Sequence, residues 1–281
     1  MRILDYQGEK ISELGIGTWY LGEGSDLKTA EEITAMKYAL DRGINMIDTA
    51  EMYGNGSAEE LVGKVIKDYK REDLFLTSKF YPHNASKDDM RQSLEASLKR
   101  LQTDYLDTYM LHWRSEEPLE ETVAGLNELQ QEGLIRHWGV SNFDVDDMKE
   151  LLAVEGGDKV AANEVLYNIE SRGIEYDLMP FQKEKDIALV GYSPFGSGFG
   201  DSIAITNNLK EIAETHQATP HQILLAWVIR DHNLITIPKA AKVGHMQENI
   251  AATDIVLSPD ELAALEQDYP APDRKMILKV I

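Results

Sequence analysis

Residues 45–63 read NMIDTAEMYGNGSAEELVG, and this stretch contains the unit from which the fold is built. The apolar run Ile44–Ile47 stops at an acid, Asp48, and five residues later Tyr53 stands beside a Gly-Asn-Gly turn. An apolar run of this length that is bounded by a turn signal is typical of a buried strand. The question is why a carboxylate and a phenol are placed where that strand gives way to a loop.

The same order of a short apolar run, a loop and an amphipathic helix recurs along the chain. In the helical segment 86–102, for example, Met90, Leu94 and Leu98 form one apolar stripe. Strands that alternate with helices are typical of parallel sheets with right-handed crossovers. We predict strands at residues 14–19, 45–50, 74–80, 106–112, 135–142, 161–168, 188–194 and 234–239.

Eight such units favour a closed (β/α)8 TIM barrel of the α/β class, formed as one domain by residues 1–281. The first ten or so residues, with Gln7 and Gly8 at a turn, predict a short N-terminal hairpin across the barrel bottom. The alternative is an open doubly wound sheet. Against it, no G-x-G-x-x-G follows a first strand, and GSGFG at 196–200 follows the seventh strand with the wrong spacing.

Composition and charge exclude several classes of function. No apolar run approaches the roughly 20 residues that span a bilayer, the N-terminus lacks a signal-peptide pattern, and the chain has no cysteine. These features predict a soluble, cytoplasmic protein. The net charge of −21 disfavours binding to nucleic acid or to an anionic membrane, so a polyanionic ligand needs a local cationic patch. The seven histidines show no metal-ligand spacing, and we predict no metal site.

Polar residues end the predicted strands, and apolar strand residues precede nearly all of them. In a barrel of this kind, active sites lie at the C-terminal ends of the strands, so these side chains are expected to share one rim. They are Trp19, Asp48, Lys79, His112, Asn142, Glu164, Tyr192 and Lys239.

The residue types at the first strand ends of this rim are suited to giving a proton to a substrate. Lys79 and Asp48 end neighbouring strands and can pair, and Tyr53 lies on the loop between them. A phenol has an ordinary pKa of about 10, which a nearby ammonium lowers, so Tyr53 can give a proton to an oxygen that gains negative charge. His112 can donate a hydrogen bond to that same oxygen. Reduction of a carbonyl also needs a hydride, which implies a cofactor because no side chain supplies one.

Seven segments, in chain order, are LGIGTW, NMIDTAEMYGNG, LFLTSKF, YLDTYMLHW, IRHWGVSNF, YSPFGSG and IPKAAKVGHMQEN. Through these segments the chain resembles the aldo-keto reductase family, of the prokaryotic type with a short C-terminal loop, nearly end to end. The resemblance implies reversible hydride transfer between NAD(P)H and a small aldehyde or ketone. It implies a catalytic tetrad of Asp48, Tyr53, Lys79 and His112, with Tyr53 as the general acid.

The resemblance also implies how the cofactor is held. Ser141 and Asn142 match the pair that binds the nicotinamide carboxamide, and Tyr192 matches the aromatic residue that stacks on its ring. Glu164 stands where the family usually has glutamine, and a carboxylate accepts from the amide but cannot donate. The glycines of YSPFGSG would offer backbone N–H groups to the pyrophosphate. The expected cofactor-binding residues are Gly17, Thr18, Trp19, Ser141, Asn142, Glu164, Tyr192, Ser193, Pro194, Phe195, Lys239, Ala240, His245, Glu248 and Asn249.

The residues expected around the 2′-phosphate depart from the family pattern. Lys239 keeps the phosphate-binding lysine, but Ala240 replaces a hydroxyl residue and His245 replaces an arginine. An imidazole cannot form the bidentate fork of arginine. We therefore expect NADP(H) to be preferred by less than in members with the arginine, and NAD(H) remains possible.

Trp19, Tyr81 and Trp113 resemble the aromatic wall of the substrate pocket. The short tail after the last helix predicts an open pocket for small aldehydes, 2-oxoaldehydes or sugar-derived carbonyls. The alternative function is a non-catalytic cofactor-binding scaffold or regulatory subunit with the same fold. By analogy with the family we expect a monomer or weak oligomer, and the sequence leaves the physiological substrate and the favoured direction open.

Overall fold

A barrel of parallel strands forms the centre of the protein, which a computed structural model describes over residues 1–197 and 202–281. Each barrel strand pairs in parallel with the next one along the chain. Each of the eight predicted runs contains one observed strand, so the predicted barrel is confirmed. The strands are β3 (Ile16–Gly17), β4 (Met46–Asp48), β5 (Phe75–Phe80), β6 (Leu106–Leu111), β7 (Ile135–Ser141), β8 (Ala162–Leu166), β9 (Ala188–Tyr192) and β10 (Ile235–Thr236).

Two parallel bridges close the barrel between its first and last strands. Leu14 pairs with Thr236, and Gly17 pairs with Lys239. The two strands come so close that a Cβ at Gly17 would lie 2.4 Å from the backbone oxygen of Ile237. Only glycine fits this approach. Because the sheet closes on itself, the alternative of an open sheet is wrong.

Helices surround the barrel. In α3, Met90, Leu94 and Leu98 are buried, which confirms the predicted apolar stripe. The helices are α1 (Asp26–Leu40), α2 (Ser57–Ile66), α3 (Lys87–Leu101), α4 (Leu119–Gln131), α5 (Val145–Ala153), α6 (Leu178–Glu184), α7 (Asn207–Thr215), α8 (Pro220–Val228), α9 (Val243–Ala252) and α10 (Pro259–Asp268). No helix in the described parts of the chain is long and apolar enough to cross a membrane.

An N-terminal hairpin covers the bottom of the barrel, as predicted. Its antiparallel strands are β1 (Ile3–Tyr6) and β2 (Glu9–Ser12), joined by Gln7 and Gly8, both with positive φ. Such a two-residue turn with positive φ at both positions matches the twist of a hairpin. From this hairpin Tyr6 and Ile11 join the apolar cluster inside the barrel that includes Met46, Phe75 and Met110. The bottom is thereby sealed, and the polar site lies at the other end.

Candidate active site

The four residues predicted to form a catalytic tetrad lie together at the C-terminal end of the barrel. Asp48 is the last residue of β4, Lys79 is in β5 next to its end, and His112 directly follows β6. Tyr53 begins a short 3-10 turn after β4. Asp48, Tyr53 and His112 line one cavity of about 650 Å³, and the Lys79 side chain is fully buried beside them.

Lys79 is the hub of this group. Its ammonium nitrogen lies 2.7 Å from each carboxylate oxygen of Asp48 and 3.2 Å from the phenol oxygen of Tyr53. It also donates to the backbone oxygen of Thr49 at 3.3 Å and lies 3.3 Å from Oε1 of Glu164. Burial opposes the charge on Lys79, but the two carboxylates outweigh it and hold the pKa of Lys79 well above its ordinary value. The lysine is therefore a fixed cation.

The electrostatics of Tyr53 differ from the sequence expectation. Burial raises the pKa of Tyr53 above its ordinary value; Lys79 lowers that pKa, whereas Asp48 and Glu164 raise it. The prediction that Lys79 brings this pKa below its ordinary value is therefore wrong, because it considered the ammonium but not the loss of water. The phenol is fully protonated across the neutral range, which is the form that a proton donor needs.

His112 lies against Tyr53, with ring centroids 5.8 Å apart and the rings nearly perpendicular. Burial, together with the charge of Lys79, lowers the pKa of His112 to about 3. The imidazole is therefore neutral and offers one N–H donor. Its Nδ1 is buried and has no hydrogen-bond partner within the described residues.

A hydrogen-bonded wall joins β7 to β9 on the far side of the cavity. Asn142, with a φ of 61°, accepts at Oδ1 from the hydroxyl of Tyr192 at 2.8 Å. Its amide nitrogen donates to the backbone oxygen of His112 and to Oγ of Ser141. Ser141 in turn donates to the backbone oxygen of Glu164 at 2.9 Å. These contacts fix the side chains that the resemblance assigned to the nicotinamide.

Glu164 lies inside β8, two residues before its end, and lines the cavity. Burial and the charge of Asp48 raise its pKa to about 8, against the opposing effect of Lys79. Its Oε2 is buried and has no hydrogen-bond partner in the described segments. The sequence placed Glu164 at the rim but did not reveal its contact with Lys79. Strands β5 and β8 are separated by β6 and β7, so this contact crosses the barrel interior and no spacing along the chain predicts it.

The other predicted cofactor residues fall into two groups. Thr18, whose hydroxyl donates to the backbone oxygen of Asp48 at 2.9 Å, belongs to the group that lines the cavity. That group is Gly17, Thr18, Trp19, Ser193, Pro194, Phe195 and Lys239. The second group does not line it: Ala240 and Asn249 are buried, whereas His245 and Glu248 are exposed on α9. Gly198, the last residue of YSPFGSG, lies outside the described residues.

The predicted aromatic wall is only partly in the cavity. Trp19 and Trp113 line it, but Tyr81 does not; its ring meets the ring of Trp113 edge-on at 6.2 Å. Sequence reasoning missed Val280 and Ile281, which line the cavity from the C-terminal tail. The apolar ending MILKVI was the available signal. The tail therefore contributes to the pocket wall.

The site provides groups that suit a nicotinamide cofactor. Oε2 of Glu164, which has no hydrogen-bond partner among the described residues, can accept from an amide, and the aromatic ring of Tyr192 lines the same cavity. Lys239 is exposed at the rim, near the exposed Lys242 and His245 at the start of α9. Within residues 1–197 and 202–281, no group of three or more His, Cys, Asp or Glu side chains is arranged to hold a metal ion.

Comparison with known proteins agrees with this geometry. The sequence model described as "Aldo/keto reductase family" matches residues 13–269. Methylglyoxal reductase YeaE of Escherichia coli (strain K12) is 42% identical, over 100% of this chain and 99% of that protein. The NADH-specific methylglyoxal reductase of the same organism is 30% identical, over 94% and 96%. A crystal structure of an aldo-keto reductase from Klebsiella pneumoniae in complex with NADPH superposes with a TM-score of 0.95, at 43% identity over 100% of this chain and 99% of that one.

The chain belongs to the aldo/keto reductase family. It is thus an oxidoreductase that acts on carbonyl groups. Two similar proteins, methylglyoxal reductase YeaE of Escherichia coli (strain K12) and the glyoxal reductase of Bacillus subtilis (strain 168), are named as reductases, so the alternative of a non-catalytic scaffold is not supported.

Proposed function

We propose that this protein uses NADPH to reduce small aldehydes, with 2-oxoaldehydes as the preferred class. The observation that carries the proposal is the contact of Lys79 with both Asp48 and Tyr53 at the floor of an open cavity. Asp48 holds Lys79, Lys79 faces the phenol oxygen, and the phenol is protonated. This set can deliver one proton to one oxygen and can stabilise the charge that the proton leaves behind.

The chemistry divides between the cofactor and the four side chains. The reduced nicotinamide supplies a hydride to the carbonyl carbon. As the new C–H bond forms, the electrons of the C=O π bond move onto oxygen, and Tyr53 donates its proton to that oxygen. Lys79 stabilises the resulting phenolate, and the N–H of the neutral His112 can donate to the same oxygen. Asp48, at 2.7 Å from Lys79, keeps the ammonium in place.

Cofactor choice depends on exposed basic side chains. Lys239, Lys242 and His245 are the proposed contacts of the 2′-phosphate, in a chain whose net charge is −21. The NADPH complex of the similar Klebsiella protein supports NADPH, and the NADH-specific Escherichia relative supports NADH as a second cofactor. We propose a preference for NADPH that is modest, because His245 lacks the bidentate fork of arginine.

The substrate class follows from the size and lining of the cavity. Trp19 and Trp113 flank the mouth, and the tail residues Val280 and Ile281 add apolar surface. A compact carbonyl compound suits this wall. The names of two similar proteins, methylglyoxal reductase YeaE and the glyoxal reductase of Bacillus subtilis (strain 168), support 2-oxoaldehydes in particular.

The test is loss of reduced-nicotinamide absorbance with methylglyoxal, glyoxal, glyceraldehyde and a simple aldehyde, each with NADPH and with NADH. We expect Tyr53→Phe to lower kcat by about 10²- to 10⁴-fold while the Kd of NADPH changes little. Tyr109→Phe is the matched control, because the hydroxyl of Tyr109 is buried without a hydrogen-bond partner in the described chain. Turnover that survives in Tyr53→Phe would refute the assigned acid, and no turnover with any carbonyl would refute the function.

We also propose that the protein works in the cytoplasm as a monomer or weak oligomer and does not bind nucleic acid. The net charge of −21 supports the last point, because like charges repel. Light scattering after size exclusion, with and without a DNA duplex, tests the oligomeric state and the absence of nucleic-acid binding. A stable dimer or a co-eluting duplex would contradict them.

A further inference from the structure

The cluster around Lys79 contains more acidic side chains than basic ones. Two carboxyl groups, Asp48 and Glu164, face a single ammonium, and all three side chains are buried. A buried negative charge that is not matched by a cation is costly unless a proton neutralises it. One proton is therefore expected on the pair of acids.

The contacts indicate which acid holds that proton. Both oxygens of Asp48 lie 2.7 Å from the lysine nitrogen, whereas Glu164 has one oxygen at 3.3 Å and one with no partner in the described residues. Asp48 is thus the better ion-pair partner. A hydrogen bond between the two carboxyl groups also opposes the rise of the pKa of Asp48 that burial causes.

We propose that Glu164 is a neutral carboxylic acid in the working enzyme and acts as a positioning residue whose ionisation limits reduction at alkaline pH. This inference depends on the proposed function only for its effect on rate. As a neutral acid, Glu164 can donate its proton to Asp48 and still accept from the nicotinamide amide at its carbonyl oxygen. It then serves in place of the glutamine that the family usually has at this position.

Ionisation of Glu164 would add a negative charge beside the proton donor. That charge is the one through which Glu164 raises the pKa of Tyr53, and it would oppose the negative charge that develops on the carbonyl oxygen. Both effects slow reduction. The charged or titratable side chains that face Glu164 or share its cavity wall are Tyr20 after β3, Asp48 of β4, Tyr53 after β4, Lys79 of β5, His112 after β6, Tyr192 of β9 and Lys239 after β10.

The expected pH dependence follows from the direction of this ionisation. Because burial raises the pKa of Glu164 to about 8, the neutral form dominates below that pH and the ionised form above it. For wild type we expect kcat/KM to fall about tenfold between about pH 7 and pH 9, as one group of this pKa titrates. In Glu164→Gln this alkaline limb, the fall of kcat/KM at high pH, should be absent, whatever the absolute rate. In Glu164→Asp, kcat/KM should still fall at high pH.

Two readouts do not depend on turnover. The infrared difference spectrum between wild type and Glu164→Gln, without cofactor, should contain the carbonyl band of a protonated carboxyl group at neutral pH and lose it well above pH 8. The oxidised nicotinamide is cationic, so NADP+ should bind more tightly relative to NADPH as Glu164 ionises, in wild type but not in Glu164→Gln. Glu13→Gln is the matched control, because Glu13 is another buried glutamate, located at the other end of the barrel.

The outcomes separate the two proposals. An absent band, together with an alkaline limb that persists in Glu164→Gln, would overturn the neutral acid even if Tyr53→Phe is inactive. A band that is present while Tyr53→Phe remains active would refute the assigned acid but not the proton on Glu164. If Glu13→Gln removed the limb, the alkaline effect would not belong to the site.

Discussion

Ser78 and Lys79, adjacent residues of β5, contact two different groups of charged side chains on opposite sides of the sheet. Successive strand residues face opposite sides of a sheet, so Ser78 faces the helices and Lys79 faces the barrel interior. On the outer side, Glu59 of α2 accepts from Ser78 at 2.6 Å and from Arg100 at 2.6 Å. On the inner side, Lys79 meets Asp48, Glu164 and the phenol of Tyr53.

The difference lies in how the charges are matched. The outer group holds one acid and one base, and both oxygens of Glu59 are paired. The inner group holds two acids for one base and leaves an oxygen of Glu164 and a nitrogen of His112 without partners within the described chain. Removing one partner from a fully paired group destabilises the fold, because it leaves a buried polar atom unpaired. An unbalanced group instead keeps polar atoms available to a ligand. Activity and stability should therefore separate across this single strand.

The largest effect is expected on the inner side. Lys79→Met keeps most of the length of the side chain and removes its charge, so the phenolate that Tyr53 would become loses its cation and Asp48 loses its ion-pair partner. We expect kcat to fall by about 10³-fold or more, measured in single turnovers with saturating NADPH. Near-ultraviolet circular dichroism controls for folding. A folded Lys79→Met that keeps a tenth of the activity would show that Lys79 serves structure alone.

The outer side should give the reverse result. Ser78→Ala deletes a buried hydrogen bond to a carboxylate without adding bulk, and such a bond contributes about 2 kcal/mol. We expect the free energy of unfolding, from urea titration, to fall by about that amount while kcat/KM stays within about twofold. If Ser78→Ala instead lost activity in proportion to Lys79→Met, the two sides of β5 would be coupled and the comparison would fail.

The sequence predicted the positions on this strand better than their environments. The run LFLTSKF predicted β5, and the order of polar residues at strand ends predicted that Asp48, Lys79 and His112 meet at one rim, because parallel strands share one C-terminal edge. The hairpin at the bottom was predictable for a similar local reason, since Gln7 and Gly8 mark the turn. These features depend on neighbours in the chain or in the sheet.

Burial and contacts across the barrel could not be predicted in this way. The pKa of Tyr53 is governed first by the loss of water, and no spacing shows how deeply a loop residue is buried. The contact between Lys79 and Glu164 joins strands that are not neighbours. The wall formed by Val280 and Ile281 depends on the path of the tail back to the cavity.

The surface of α9 offers a third comparison, an exposed position, where we expect a substitution to have the smallest effect. His245 lies exposed in the first turns of α9, and solvent weakens the interactions of charges there. Arginine at this position would add a permanent charge and two parallel donors for a phosphate. For His245→Arg we expect the Kd of NADPH to fall about three- to fivefold at low salt, with the Kd of NADH changed less than twofold.

A matched variant shows whether tighter NADPH binding in His245→Arg depends on the position of the new charge or only on its sign. Gln247→Arg places the same guanidinium on an exposed position of the same helix, two residues away. If it tightens NADPH as much as His245→Arg, the gain reflects the general attraction of a polyanion to a less acidic surface, which salt abolishes. If only His245→Arg improves binding, the 2′-phosphate contacts that position. The modest size of the effect would then show how much less an exposed charge contributes than the buried Lys79.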